Sequence, residues 1–261
     1  SDKATICMPY HKLLDELEED RLAGKKFGST RRGIAPVYAD KYMKKTLRMG
    51  DLLDLEAHGE HLADIVEWKN LTVERGYGHA PVGAGEMMAW LREYGLPWRE
   101  YICDTSAYLD AAAESGKNIL FEAQLGALRD IDFGIFPYTS SSSSIAGYAP
   151  VGAGIPGRHL DASIGIMKAY SSCVGEGPFT CEFFGEEAER LRQAGGEYGA
   201  ATGRPRRVGG FDIPASRYGV RVQGCTEIAL TKLDVLGCLD RVPVCVAYEV
   251  DGERTEDFPT G

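Results

Sequence analysis

A short apolar run ends in Thr-Lys-Leu-Asp at residues 231–234. Residues 228–230 have the composition of an apolar strand. A carboxylate after a strand can accept hydrogen bonds from the N1–H and the 2-amino group of guanine, a pair of donors that adenine lacks, while a lysine stem can cover the base. Lys232 and Asp234 are therefore candidates for guanine-nucleotide binding. The pattern alone leaves open a surface lysine beside an aspartate that only caps a helix.

Three arginines lie in a glycine-bounded loop at residues 199–210 of an otherwise acidic chain. Arginine forks match the oxygens of carboxylates and phosphates, and flanking glycines let the backbone close around a ligand. An exposed basic loop is the alternative, but the tight Thr-Gly and Gly-Gly flanks favour an anion site. The three arginines of this loop, Arg204, Arg206 and Arg207, are therefore candidate anion ligands.

Two further loops combine small hydroxyl residues with charge. Residues 27–41 hold Ser29 and Thr30 beside Arg31 and Arg32, a composition that suits a phosphate. Residues 121–141 run from Glu122 and Gln124 into a serine-rich stretch, whose amides and hydroxyls could bind a purine edge or a phosphate monoester. Taken singly, each loop is better explained as an ordinary solvated turn than as a binding site.

Composition excludes several other classes of protein. With 261 residues and 44% hydrophobic residues the chain can form a packed core, and its net charge of −10 opposes a general nucleic-acid surface. Seven cysteines without a C-x-x-C pair indicate reduced thiols in a cytoplasm. No stretch is long and apolar enough to cross a membrane. Residues 152–157 satisfy G-x-G-x-x-G, but they follow a loop and contain Pro156, which argues against a dinucleotide-binding fold. His58 and His61 lack a third metal ligand nearby, so we do not expect them to form a metal site.

Hydrophobic periodicity predicts the elements that must position these residues. We expect a helical part over about 9–115 and a sheet-containing part over about 118–261, which gives a mixed α/β fold. We also expect strands at 5–8 and 118–122, a loop over 138–157, and a helix that resumes at Leu160. Because Ser1 leads so soon into a predicted strand and Gly261 follows a loop, we expect both ends to be internal to a longer protein.

In order and spacing these segments resemble adenylosuccinate synthetase, over essentially the whole chain. The matching segments are 28–36, 121–132, 168–179, 197–207 and 230–236. The resemblance implies a largely parallel central sheet flanked by helices, in a P-loop GTPase-like ligase fold that is incomplete here. It also implies a cytoplasmic homodimer that joins IMP to L-aspartate with GTP and Mg²⁺, on the route to AMP.

The resemblance assigns ligands to particular positions. It implies IMP binding by Thr30, Lys44, Gln124, Ser140 and Arg204, aspartate binding by Thr202, Arg204 and Arg206, and GTP binding by Arg206, Lys232 and Asp234. Three positions depart from the common pattern. Lys44 replaces an arginine that reaches the partner subunit's IMP, Ala201 replaces a threonine, and the residues around Gln124 are in an unusual order.

No glycine-rich phosphate loop occurs in these residues. In the family that loop, the catalytic aspartate and histidine, and the magnesium ligand precede the matched segment. We therefore expect no catalytic residue or metal ligand among these residues, and little or no ligase activity from the chain alone. The alternative is a regulatory paralogue that binds a guanine nucleotide without catalysis.

Overall fold

A computed structural model describes residues 1–25, 27–123, 125–199 and 203–259. The chain divides into two compact units, one made of Ser1–Phe121 with Pro150–Gly157 and the other of Glu122–Ala149 with Arg158–Gly261. The α-helices are α1 (Pro9–Leu22), α2 (Ile34–Met43), α3 (Gly59–Asn70), α4 (Ala84–Trp90), α5 (Thr105–Glu114), α6 (Ala149–Gly152), α7 (Gly185–Gly195) and α8 (Ile213–Gln223). Short 3₁₀ or π segments are Ala23–Lys25, Met49–His58, Leu71–Gly76, Leu91–Gly95, Leu96–Tyr101, Ala127–Arg129, Ala146–Tyr148 and Asp234–Cys238.

The first unit is helical and has one continuous apolar core. Its helices begin at identifiable signals: Pro9 opens α1, and the Asp104 carboxylate caps α5 by accepting from the Ser106 and Ala107 amides. The core side chains come from the start of the chain, from α1, α3 and α4 and from the connecting turns. They are Ile6, Met8, Tyr10, Leu14, Leu47, Leu52, Leu55, Leu62, Ile65, Val66, Val73, Met87 and Leu91.

The second unit contains all the strands that the structure describes. They are β1 (Ile164–Lys168), β2 (Ser171–Cys173), β3 (Arg207–Gly209), β4 (Phe211–Asp212), β5 (Glu227–Thr231), β6 (Val244–Cys245), β7 (Tyr248–Val250) and β8 (Glu253–Thr255). They form four two-stranded pairs: β1 with β5 and β4 with β6 are parallel, and β2 with β3 and β7 with β8 are antiparallel. A smaller core joins α7 to β3 and to the turns after β1 and β5, through Tyr170, Ala188, Leu191, Val208 and Val235.

Glycines end the two long helices of this unit. Gly196 after α7 and Gly224 after α8 have φ values of 64° and 60°, the left-handed conformation that stops a helix. Asp212 begins α8, because its carboxylate accepts from the Ala215 amide. These signals place the residues after Gly196 directly against the strands.

The predicted α/β class is confirmed, but four predictions about elements are wrong. The predicted loop over 138–157 contains the 3₁₀ turn Ala146–Tyr148 and α6. Residues 118–122 form no strand, and Leu120 is 92% exposed, because no neighbouring strand pairs with it in the described chain. Leu160 does not resume a helix: bends carry the chain into β1 instead. At the start of the chain only an isolated bridge from Thr5 to Arg48 forms. Among the described residues, no helix has the length and apolar character to span a bilayer.

Candidate functional site

The candidate site of the second unit lies where β1 and β5 end. The parallel register pairs Lys168 with Thr231 at the last position of both strands, and the Ala169 amide donates to the Thr231 carbonyl at 2.9 Å. Side chains that follow parallel strands gather at one edge of a sheet, where α/β proteins bind ligands. This edge carries Tyr170, Lys232 and Asp234.

A buried carboxylate organises this edge. The Glu197 side chain is 1% exposed. It accepts from Lys168 Nζ at 2.7 Å and from the Tyr170 hydroxyl at 2.5 Å on one oxygen, and from Arg206 Nη1 at 2.9 Å on the other. Since Gly196 ends α7, the chain turns immediately and directs Glu197 inward.

The hydrogen bonds to Glu197 keep it ionised. Burial alone raises the pKa of this carboxyl, but the bonds from Lys168, Tyr170 and Arg206 outweigh burial and lower its pKa below the usual value. The pKa of Tyr170 is raised by burial and by the bond it donates to Glu197. The network thus keeps Glu197 charged and holds the Arg206 guanidinium in position.

The three arginines of the loop differ in the contacts that their side chains make within the protein. Arg207 has a structural role: it pairs with Glu182, donates to the Gly177 carbonyl at 2.7 Å and lies over the Phe179 ring. Arg206 is half-buried, and its Nε has no hydrogen-bond partner in the described part of the chain. A buried donor without an acceptor is rare and points to a missing partner group.

Arg204 is the exposed member of the group. Its Nη2 lies 3.1 Å from a Glu176 carboxylate oxygen. The loop that carries it is closed by backbone bonds, from the Gly203 amide to the Gly199 carbonyl at 2.7 Å and from the Gly199 amide to the Arg204 carbonyl at 2.8 Å. Thr202 and Ala201 lie outside the described residues.

Lys232 and Asp234 occupy the turn after β5. Lys232 adopts a left-handed conformation with φ of 64°, and its Nζ donates to the Gly195 carbonyl at the end of α7 at 2.9 Å. Asp234 is exposed, and within the described residues its carboxylate makes no hydrogen bond or ion pair. The helix-capping interpretation of Asp234 therefore fails, since this carboxylate accepts no cap hydrogen bond.

Arg129 connects the loop of Ser140 to the segment 173–176, whose Glu176 side chain pairs with Arg204. Its guanidinium contacts the Tyr138 carbonyl and Cys173 Sγ, and lies 3.3 Å from the Glu176 carbonyl. The Ser140 amide donates to the Arg129 carbonyl at 2.8 Å. Since Glu176 pairs with Arg204, the structure joins Ser140 and Arg204 in one network. Gln124 lies outside the described residues.

The serine-rich loop is ordered around one aspartate. Asp130 is fully buried and accepts from the Ser144 amide at 2.6 Å, the Phe133 amide at 3.0 Å and the Ser143 hydroxyl at 3.1 Å. Burial raises the pKa of this carboxyl, but the hydrogen bonds outweigh burial and lower it. Ser140 therefore lies in a loop that the buried Asp130 carboxylate holds in one conformation.

Two candidate residues belong to the first unit. Thr30 is exposed in the turn before α2. Lys44 is exposed at the C-terminal cap of α2, with φ of 62°, and its amide donates to the Asp40 and Lys41 carbonyls. Their side chains are presented to solvent by the elements that carry them.

The sequence patterns do not predict the roles of three residues that order the candidate site, namely Glu197, Arg129 and Asp130. All three lie inside segments that the sequence singles out, but nothing in their neighbours signals burial. No cluster of three His, Cys, Asp or Glu side chains in the described chain could hold a metal ion.

Comparisons with known proteins identify the family of the chain. The family model of adenylosuccinate synthetase matches residues 1–261. The chain is 44% identical over 260 residues to adenylosuccinate synthetases of Synechococcus elongatus and of a second Synechococcus strain, covering 100% of this chain and 59% of theirs. The fully ligated adenylosuccinate synthetase of Plasmodium falciparum superposes with a TM-score of 0.91 at 32% identity, over 99% of this chain and 61% of that one. The succinoaminodeoxyadenylate synthetase of cyanophage S-2L, at 17% identity and a TM-score of 0.52 over 94% of this chain, shares the fold.

Proposed function

The chain belongs to the adenylosuccinate synthetase family, and we propose that the protein condenses IMP with L-aspartate at the expense of GTP. The products are adenylosuccinate, GDP and phosphate. GTP phosphorylates the 6-oxygen of IMP, and the aspartate amine displaces that phosphate. Since the chain spans 59% of the length of its curated relatives, the complete reaction is proposed for a protein of their length. For the 261 residues alone we propose ligand binding with little or no turnover.

Guanine is read by Asp234, and this proposal rests on one observation. Asp234 is an exposed carboxylate without a partner in the described chain, and it lies at the carboxyl end of a parallel strand. Its two oxygens can accept from the N1–H and the 2-amino group of guanine. We assign Lys232, whose Nζ donates to the Gly195 carbonyl at the end of α7, to cover the base with its stem.

Arg204 and Arg206 hold the anionic parts of the substrates. Arg206 serves both aspartate and GTP, and Glu197 keeps its guanidinium in a fixed orientation before any ligand arrives. Its unpartnered Nε is a donor for one of these ligands. Arg204 exchanges its exposed pair with Glu176 for contacts to the IMP ribose and to aspartate, and Thr202 completes the aspartate loop.

IMP is held at its phosphate by hydroxyls. Thr30 and Ser140 donate to the phosphate oxygens, and Gln124 contacts the nucleotide. Ser140 is suited to this role because Arg129 and Asp130 order its loop. Lys44 replaces the arginine that reaches the partner subunit's IMP in the family. Lysine keeps the charge but loses the bidentate fork, so this contact is weaker.

The remaining assignments follow from family membership. We place the protein in the cytoplasm as a homodimer, with magnesium bound by residues other than those described here. Magnesium neutralises phosphate charge when it is bound, and no step is assigned to it through the described residues, which contain no cluster to hold it.

Asp234→Asn tests the guanine assignment. The substitution should weaken GTP binding at least tenfold and improve XTP binding, because the new amide NH₂ donates to the 2-oxygen of xanthine where the carboxylate repelled it. Calorimetric titration of a protein of the relatives' length with GTP, XTP and ATP measures this. Asp240→Asn, at an exposed acid of the same unit, is the control and should change nothing. Unchanged GTP affinity in Asp234→Asn would refute the assignment.

A further inference from the structure

One face of α1 carries three buried polar side chains. His11, Asp15 and Glu19 are spaced four residues apart, so they lie in a row along the helix. All three are buried. Acidic side chains are almost never fully buried unless they are paired, so the partners of Asp15 and Glu19 indicate the role of these two carboxylates. The partners of both carboxylates lie in the segment that carries Thr30.

The two carboxylates bind the segment 27–33, which we call the phosphate-side loop. Glu19 accepts from the Phe27 amide at 3.3 Å and from the Gly28 amide at 3.2 Å, at the start of the loop. Asp15 accepts from the Gly33 amide at 2.8 Å, at its end. Both ends of the loop are thus tied to one helix by charge-assisted hydrogen bonds.

Asp15 binds the hydroxyl of Ser29 but not that of its neighbour Thr30. Ser29 Oγ donates to the second Asp15 oxygen at 2.7 Å and accepts from the Arg31 amide at 3.1 Å, so it faces the helix. Thr30 is exposed, and its hydroxyl has no partner within the described residues. Ser29 is consequently an anchor, and Thr30 is the hydroxyl that remains free to meet a ligand.

Close packing fixes the end of the loop. Gly33 has φ of +80°, and a Cβ at this position would lie 2.8 Å from the His11 carbonyl carbon and 2.9 Å from the Lys12 nitrogen. The α2 helix that follows is held on α1 as well, because His11 Nε2 lies 2.9 Å from Asp40 Oδ2. The loop therefore cannot shift along α1 without breaking buried contacts.

We propose that Asp15 and Glu19 are positioning residues for the binding of a phosphate monoester. They hold the phosphate-side loop so that Ser29 turns inward and Thr30 turns outward, and through Thr30 they set the affinity for the nucleotide phosphate. This inference rests on the proposed function, which gives Thr30 the phosphate of IMP. Neither carboxylate touches the ligand.

The test uses Asp15→Asn and Glu19→Gln, in which an amide nitrogen replaces one acceptor oxygen. Glu16→Gln, at an exposed position of the same helix, is the matched control. Calorimetry with IMP gives Kd, amide hydrogen exchange gives the protection of Gly28 and Gly33, and thermal melting verifies folding. We expect Asp15→Asn to raise Kd at least tenfold and to lower protection at Gly33, and Glu19→Gln to lower protection at Gly28. The control should match the parent chain.

A double-mutant cycle separates positioning from a general structural effect. Thr30→Val should raise Kd without changing amide protection. In the Thr30→Val background, Asp15→Asn should have no further effect on Kd, because it acts through Thr30. Additive effects would overturn the proposal, and so would an unchanged Kd in Asp15→Asn. Ser29→Ala, which removes only the inward hydroxyl, supplies the same comparison if Asp15→Asn does not fold.

An error in the proposed function can be distinguished from an error in the proposed anchoring of the loop. If the parent chain does not bind IMP, the role of Thr30 as a phosphate ligand is wrong. Amide exchange then decides the positioning on its own: lost protection at Gly28 and Gly33 in the two variants supports loop anchoring, and unchanged protection overturns it.

Discussion

The two units of the chain are stabilised in different ways. The helical unit has a continuous apolar core drawn from several helices and turns, and its buried polar and charged side chains lie on α1, α2 and α3. The strand-containing unit has a core of five buried residues and leaves large apolar side chains of β1 and β5 exposed. Its candidate ligand-binding residues are held by buried ionic networks around Glu197 and Asp130 instead. Apolar packing therefore maintains the first unit, and polar contacts order the second.

The largest expected effect is at Glu197. Glu197→Ala leaves Lys168, Arg206 and the Tyr170 hydroxyl without their shared acceptor, and breaking a buried ionic network costs about 3–5 kcal/mol. Urea unfolding of the strand-containing unit measures this loss. Glu176→Gln, which breaks the exposed pair with Arg204, should cost less than about 1 kcal/mol. Equal losses in the two variants would contradict the view that the buried network around Glu197 stabilises the strand-containing unit.

A core truncation in the helical unit should come next. Leu91 is fully buried, and Leu91→Ala removes packing that is worth about 2–4 kcal/mol. Amide exchange resolved by residue should show the loss across the helical unit, with the Glu197 network unchanged. A matching loss of protection around Glu197 would show that the two units unfold together, and the comparison would then be wrong.

Acid should weaken the helical unit first. Burial lowers the pKa of His11 below its ordinary value, even though Asp40 opposes this shift; Lys69 adds to it. Nδ1 of His11 accepts from the Met8 amide, so a second ring proton would break that bond. The stability that neutral His11 contributes is complete above the unfolded-state pKa near 6.5 and is lost as pH falls through the lower folded-state value.

Urea unfolding between pH 7.5 and pH 5 measures this effect. We expect the midpoint of the helical unit to fall over this interval, and His11→Gln to flatten the dependence. Asp40 and Lys69 face His11 from α2 and α3, and the double replacement Asp40→Asn with Lys69→Met should change the slope as well. A midpoint that rises on acidification would mean that His11 is charged in the folded state.

The smallest effect is expected on the exposed strand faces. Ile166 in β1 is 73% exposed, so Ile166→Thr should change the stability of this chain by less than about 0.5 kcal/mol. Parallel strands are normally covered on both faces. In a protein of the relatives' length we therefore expect the same substitution to cost about 1–3 kcal/mol. Chemical denaturation of both proteins checks this, and an equal, small cost in both would contradict coverage of the face.

The sequence predicted the α/β class and the turn after β5 because both depend on local patterns. The apolar run at 228–230 continues into Thr231 as β5, and the Thr-Lys-Leu-Asp pattern lies at its end, where strand-edge chemistry was expected. The helices near 9–23 and 107–115 also have clear periodicity. Residues 118–122 show the limit of the same rule: an apolar run forms a strand only if another strand pairs with it, and none does so in the described chain.

Long-range contacts account for what the sequence did not predict. Glu197 lies 29 residues from Lys168 and 27 from Tyr170 along the chain, so no local pattern joins them. The serine-rich stretch resembles a loop whether or not Asp130 orders it. Ser29 and Thr30 are equivalent in the sequence, and only the Asp15 contact distinguishes the anchor from the exposed hydroxyl.

We propose that the turn after β5 and the arginine loop bind GTP and aspartate for a reaction on IMP. Calorimetric titration with GTP and with ATP, with and without IMP, measures this binding on this chain and on a protein of the relatives' length. We predict selective GTP binding that IMP strengthens, and adenylosuccinate formation only in the longer protein. A longer protein that does not bind GTP or form adenylosuccinate would contradict the claim, and turnover by the 261 residues alone would contradict the assignment of catalysis to other residues.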